Sequence, residues 1–261
     1  MKLNTCRFWL IVSTLFCAIS LNAQSVGDYQ TNISFGVGNW SALGTWKRWD
    51  GASWATPTAL QGYPGQFSTP NTVTYGSFLS ALTLNGSPVF SINNFVQNTG
   101  FGAFATSGNP ILTVNTSFTI STVLDLFTYS GSGSLTVSGA SSISGQLVLN
   151  GTGTYTFTGL VTTNAGGSFT STGVTGTGNM IFKGGIVNNG TFSAGGATFN
   201  TSSQSISGSA TVSFSGTVTV TGVTVSNTNS VSVSMTGTAA GTLQGNGTWT
   251  QGINSTLNYS G

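Results

Sequence analysis

Along most of the chain apolar and polar residues alternate one for one. Thr154-Tyr155-Thr156-Phe157-Thr158, Thr217-Val218-Thr219-Val220-Thr221 and Val231-Ser232-Val233-Ser234-Met235 each put apolar side chains on one face and hydroxyls on the other. That is the period of a β-strand. The runs are short and end in glycine-rich corners, such as Ser-Gly-Ser-Gly at 130–133, Asn-Ala-Gly-Gly at 164–167 and Val-Asn-Asn-Gly-Thr at 187–191. No helical periodicity occurs beyond the first 23 residues, so the pattern predicts an all-β fold.

Three related tripeptides hint at a repeat. Asn150-Gly151-Thr152 leads to Tyr155, Asn189-Gly190-Thr191 to Phe192, and Asn246-Gly247-Thr248 to Trp249. The asparagines lie 39 and 57 residues apart (189 − 150, 246 − 189), near two and three multiples of about 19, the length of a coil of three short strands and tight corners. This predicts a parallel β-solenoid (β-helix) from about residue 68 to the end, with coils about 4.8 Å apart. Phe157, Phe192, Phe214, Val218 and Val220 are expected inside it, with parallel pairing between segments about 19 to 22 residues apart. The alternative is a β-sandwich, because Asn-Gly also favours hairpins.

Charge is nearly absent. Met1 to Ala23 has the form of a secretory signal peptide: Lys2 and Arg7, an apolar run from Phe8 to Leu21 too short to span a bilayer, and a Leu21-Asn22-Ala23 cleavage site. Both cysteines, Cys6 and Cys17, fall inside it. Past residue 23 the charged residues are Asp28, Lys47, Arg48, Asp50, Asp125 and Lys183, three of each sign, and the chain has no histidine or glutamate. A balanced charge offers no basic patch for nucleic acid. Acid/base catalysis needs a titratable pair held together, and three scattered aspartates with no histidine do not supply one. The expectation is a non-enzymatic protein with no catalytic residues, metal or cofactor, secreted or at the outer-membrane surface, with no membrane insertion once the signal is cleaved. Hydrophobic residues make up 38% of the chain and aromatics 11%, which is enough to bury a core rather than remain disordered.

One stretch departs from this. Gly-Asn-Trp-Ser-Ala-Leu-Gly-Thr-Trp-Lys-Arg-Trp-Asp-Gly-Ala-Ser-Trp, residues 38–54, holds four of the six tryptophans, Trp40, Trp46, Trp49 and Trp54, with Lys47, Arg48 and Asp50. Its tryptophan spacing matches neither alternation nor a helix face, so it reads as a compact looped segment. Residues 24–67 are expected to cap the N-terminal end of the solenoid, with Trp46 and Trp49 largely buried. The functional alternative is a carbohydrate platform of Trp40, Trp46, Trp49, Trp54 and Tyr63, since exposed indoles stack on sugar rings.

Gly27-Asp28-Tyr29-Gln30, the tryptophan stretch and Thr56-Pro-Thr-Ala-Leu-Gln-Gly-Tyr-Pro-Gly65 together resemble the start of large secreted surface proteins of Bacteroidota. Residues 184–214 and Gly222-Val-Thr-Val-Ser-Asn-Thr228 resemble their glycine- and threonine-rich strand repeats. The resemblance implies an adhesin-like or matrix protein with a β-helical body, exported by the type IX secretion system, whose partners are polysaccharide or a host or neighbouring cell surface. Such proteins commonly carry a C-terminal sorting domain. This chain reaches Leu257-Asn-Tyr-Ser-Gly261 in mid-pattern without one, so the repeat region, 68–261, is expected to be truncated. A further alternative is ice binding. Thr-x-Thr pairs recur at Thr154/Thr156, Thr175/Thr177, Thr217/Thr219 and Thr236/Thr238, although threonine is also the ordinary outward residue of a polar β-face.

Overall fold

The computed structural model describes residues 24–33, 35–171, 179–234 and 243–260. The expected signal peptide and the pairs Thr175/Thr177 and Thr236/Thr238 lie outside them.

The chain folds as a parallel β-solenoid. Among the described residues its strands form two sheets, one of eighteen strands and one of ten. Leu112 pairs with Leu135, which pairs with Tyr155, and Phe104 pairs with Phe127, which pairs with Leu147. These are steps of 23 and 20 residues in each sheet (135 − 112, 155 − 135; 127 − 104, 147 − 127). The parallel signature therefore stands and the sandwich does not. Antiparallel pairing joins only Tyr29–Thr31 to Trp46–Trp49 and the latter to Trp54–Ala55 among the described strands.

Each coil gives one strand to the ten-stranded sheet and two stretches to the larger one. In the coils of Val89–Gln97 and Ile111–Ile120 those two stretches are a single long strand, with a register shift between Ile92 and Asn94. In later coils the strand breaks in two, and Gly139, Gly159 and Gly184 stand at the break. A Cβ on Gly139 would overlap the carbonyl oxygen of Thr116 in the coil below, and one on Gly159 the carbonyl of Gly139. Glycine is needed there because backbone packs directly on backbone.

The Asn-Gly-Thr tripeptides do not mark one corner. Asn150 follows the ten-stranded-sheet strand Gln146–Leu149, Asn189 precedes the strand Thr191–Ala194, and Asn246 separates Leu243–Gln244 from Thr248–Gln251 of the other sheet. Tight turns at several corners select the same residues. The tripeptides therefore point to coils without sharing a register.

Inside, apolar side chains stack in columns, and in places ring lies on ring. Phe104 lies on Phe127 with ring centroids 4.2 Å apart and planes 7° from parallel, and Phe169 lies on Phe192 at 4.5 Å and 9°. Across the core, Phe157, Phe182 and Phe199 form a second column at 5.7 and 5.6 Å. The five residues expected inside, Phe157, Phe192, Phe214, Val218 and Val220, are all buried. Buried amides close corners the apolar columns do not fill: Asn188 donates through Nδ2 to the carbonyls of Ala210 (3.1 Å) and Thr211 (2.7 Å). Gln97 donates through Nε2 to the carbonyls of Gly102 (3.0 Å) and Leu126 (3.1 Å).

Phe127 also touches Phe95 (5.4 Å) and Phe118 (5.0 Å). Phe127→Ala is expected to cost about 3–5 kcal/mol by leaving a cavity where two columns meet, measured by denaturant melting. A second expectation concerns pH. The hydroxyl of Tyr129 lies 2.6 Å from the carbonyl oxygen of Pro110 and 2.8 Å from that of Ser134, which share its one proton, and burial, with Tyr155 nearby, pushes its pKa up. Burial likewise raises Tyr155 and Tyr75. The folded chain thus holds these phenol protons more tightly than the unfolded chain, whose tyrosines titrate near 10.0. Stability should be fully present below that pH and fall as pH rises through and beyond it. Thermal melts from pH 7 to about pH 12 check this.

Candidate functional site

The tryptophan segment is more ordered than a loop. Gly36–Asn39 is the first strand of the ten-stranded sheet, pairing in parallel with Ser80–Asn85, and Tyr29–Thr31 pairs in parallel with Thr72–Tyr75 of the other. A 3-10 turn over Leu43–Thr45 then reverses the chain into the strand Trp46–Trp49. The strand lies antiparallel on Tyr29–Thr31, and Trp54–Ala55 folds back on it. An antiparallel ribbon thus covers the edge of the larger sheet. Alternation failed to reveal it because a turn separates Trp40 from Trp46 and another separates Trp49 from Trp54, so only Trp46 and Trp49 share a strand and the four indoles are spread over three short elements.

The five candidate sugar-contacting residues divide into two groups. Trp40 and Trp46 have 0% exposure. Their rings meet edge to face at 4.9 Å, and Trp40 also packs on Phe90 and Phe104. The Trp40 indole donates to the carbonyl of Pro64 (2.9 Å) and the Trp46 indole to the carbonyl of Trp40 (2.7 Å). With both faces and both N–H groups engaged, these two have nothing to offer a ligand, and the five-residue platform is corrected accordingly. Tyr63 is half-buried and packs edge to face on Phe90 at 5.9 Å.

Trp49 and Trp54 remain. Each is half-buried, so Trp49 is less enclosed than expected, and they are cross-strand partners with ring centroids 5.4 Å apart. Strand alternation puts Lys47 on the same side as Trp49 and Arg48 on the other. There the Arg48 guanidinium carbon lies 6.0 Å from the centroid of the buried Tyr29 ring. Burial raises the pKa of Tyr29, opposed by the Arg48 charge and its hydrogen bond. The turn beyond Trp49 is fixed by Asp50, whose Oδ1 accepts from the backbone N–H groups of Ala52 (2.8 Å) and Ser53 (2.7 Å), which holds its carboxyl below the usual range.

The three aspartates hold separate corners. Asp28 accepts from the N–H groups of Ser25 (2.7 Å) and Thr72 (2.9 Å), tying the segment to the first strand after the cap. Asp125, with 0% exposure, accepts from the hydroxyl and N–H of Thr99 and from the N–H of Gly102. Every hydrogen bond described for the three carboxylates comes from a backbone N–H or a hydroxyl. Among the described residues no group of three or more His, Cys, Asp or Glu is placed to hold a metal ion, and no helix is long and apolar enough to cross a membrane. No family model matches the chain. Neither a curated protein nor a solved structure matches it.

Trp46→Ala is expected to destabilise the protein by about 3–5 kcal/mol, because an enclosed indole leaves a large cavity. Trp54→Ala should stay within about 1 kcal/mol. Thermal and denaturant melts of the two variants check the division between plug and surface.

Proposed function

We propose that this protein is a non-enzymatic extracellular building element: an adhesin-like β-solenoid whose outward faces of hydroxyl and amide groups touch other surfaces. The carrying observation is the disposition of the aspartates. Each is committed to closing a turn or corner, and no two share a hydrogen-bonding partner. General acid/base work needs two such groups around one reacting centre. The outward columns instead suit many weak contacts: Thr113, Thr136 and Thr156 are in direct register, as are Thr119, Ser142 and Thr162. Secretion belongs to this reading through the signal-peptide form of Met1 to Ala23, and Bacteroidota surface origin through the resemblance alone.

A second reading, carbohydrate binding, is favoured by the half-open Trp49–Trp54 pair. Ice binding has less support. Thr156 and Thr219 share one outward column, but Ile181 lies beside Thr156 and interrupts the run of threonines.

Beads coated with the protein are expected to adhere to bacterial cells or immobilised polysaccharide. Their retention should be nearly unchanged between about 0.05 and 0.5 M salt, because neutral faces gain little from screened Coulomb attraction. Adhesion abolished by Trp54→Ala, in a variant that melts normally, would transfer the function to sugar binding at the ribbon. Turnover of a polysaccharide by the purified protein, lost in Asp50→Asn, would overturn the non-enzymatic reading.

A further inference from the structure

The corner leading into the ten-stranded sheet is apolar and faces solvent in four successive strands. Extending the pairings Gly36–Ser80, Ala81–Ala103 and Ala103–Leu126 back along each strand puts Phe35, Leu79, Phe101 and Leu124 at equivalent positions. Phe78 and Val123 widen this column, and Phe78 meets Phe101 edge to face at 5.6 Å. Two residues further along each strand, Val37, Ala81, Ala103 and Leu126 make a second outward column. The three phenylalanines, with Val37, Leu79, Val123 and Leu124, are 49–76% exposed. The stripe then stops. By the same register the next two corners hold Ser144 and Gly166, so it is a local feature and not a property of the repeat.

Two of these residues are held in place against their own backbone preference. Phe35 and Leu79 have φ of 66° and 49°, the left-handed region that disfavours bulky side chains and that glycine enters freely. In the next coil a glycine, Gly100, takes that conformation with φ of 79°, yet Phe101 follows it outward. A chain rich in glycine keeps Phe and Leu at these corners.

We propose that this stripe is the interface between two copies of the chain, laid side by side about a two-fold axis. Its exposed side chains leave on the order of 700 Å² of apolar surface, taking about 150–250 Å² for a whole aromatic side chain and somewhat less for Leu and Val. That exceeds the roughly 300–600 Å² of the largest apolar patch on a typical monomer. It approaches the roughly 800 Å² that one partner contributes to a standard interface. A second copy fits better than another occupant for two reasons. The stripe carries no exposed charge, since the nearest carboxylate, Asp125, is fully buried and hydrogen-bonded, so a two-fold opposes no like charges. Its ridges also recur at the strand spacing, about 4.8 Å, and a second copy brings the same spacing to interdigitate with it.

The test is sedimentation velocity of the purified protein across micromolar concentrations. A monomer–dimer equilibrium is expected, with the dissociation constant raised about 100-fold or more in the Phe78→Ser, Phe101→Ser variant, whose folding is checked by circular dichroism. Independently of that variant's folding, Leu124→Cys should give an intermolecular disulfide on mild oxidation, since the chain has no cysteine beyond residue 23. Leu160→Cys, on another part of the surface, should not. A wild-type protein monomeric at hundreds of micromolar overturns the proposal, as does a dimer cross-linked through Leu160→Cys and not Leu124→Cys. A monomer retained on polysaccharide or lipid vesicles through Phe78 and Phe101 would replace the second copy with that occupant.

Discussion

Parallel, in-register stacking governs this molecule. Once coil follows coil at the strand spacing, about 4.8 Å, each position has its own equivalent directly above and below. Whatever is tolerable once must be tolerable as a ladder. Flat rings gain, as the Phe104–Phe127 and Phe169–Phe192 stacks show. Hydroxyl and amide groups can bond to the next coil, as Asn164 does through Nδ2 to the hydroxyls of Ser142 and Ser144. At corners where backbone meets backbone even a methyl group is too much, and glycine recurs there.

The same rule creates two ends, each with an unpaired sheet edge and uncovered core. At the N-terminal end both problems fall to one segment. Its strands prolong the two sheets, its antiparallel ribbon lies on the edge of the larger one, and Trp40 and Trp46 fill the space above Phe90 and Phe104. At the other end of the described chain Leu243, Trp249 and Leu257 stand in register with the buried Val218, Val225 and Val231, yet each is only partly buried. The contrast shows how much of the burial of an inward residue comes from the coil beyond its own.

Alternation at Thr154–Thr158 and Thr217–Thr221 made the strands and their inward faces legible in the sequence, because period two is a local property. The existence of coils was legible too, though the tripeptides that suggested it occupy different corners. Sequence repeats of this kind report turn chemistry, which several corners share, and not register, which depends on the whole coil. The tryptophan segment was legible only as composition. Which indoles plug the core depends on a reversal at Leu43–Thr45 and on pairing with Tyr29–Thr31, and no spacing rule encodes that. The apolar corner was missed for a related reason: Phe35, Phe78, Phe101 and Val123 lie a coil or more apart in sequence and become neighbours only through stacking.

The few charges obey the constraint most plainly. Asp28, Lys47, Arg48 and Asp50 all belong to the N-terminal segment, and Lys47, Arg48 and Asp50 sit in its antiparallel ribbon and turn, outside the parallel columns. Only two of the described charges sit in the solenoid body. Asp125 is flanked in register by Gly102 and Gly145, so its carboxylate meets N–H donors and no second charge. Lys183 follows Phe182, which pairs with Phe157 and Phe199, so its neighbours are Thr158 and Asn200. A like charge at either neighbouring position would face it at strand spacing, with repulsion along the sheet. Near-absence of charge is therefore first a condition of this fold, and the neutrality of its outward faces follows from the stacking.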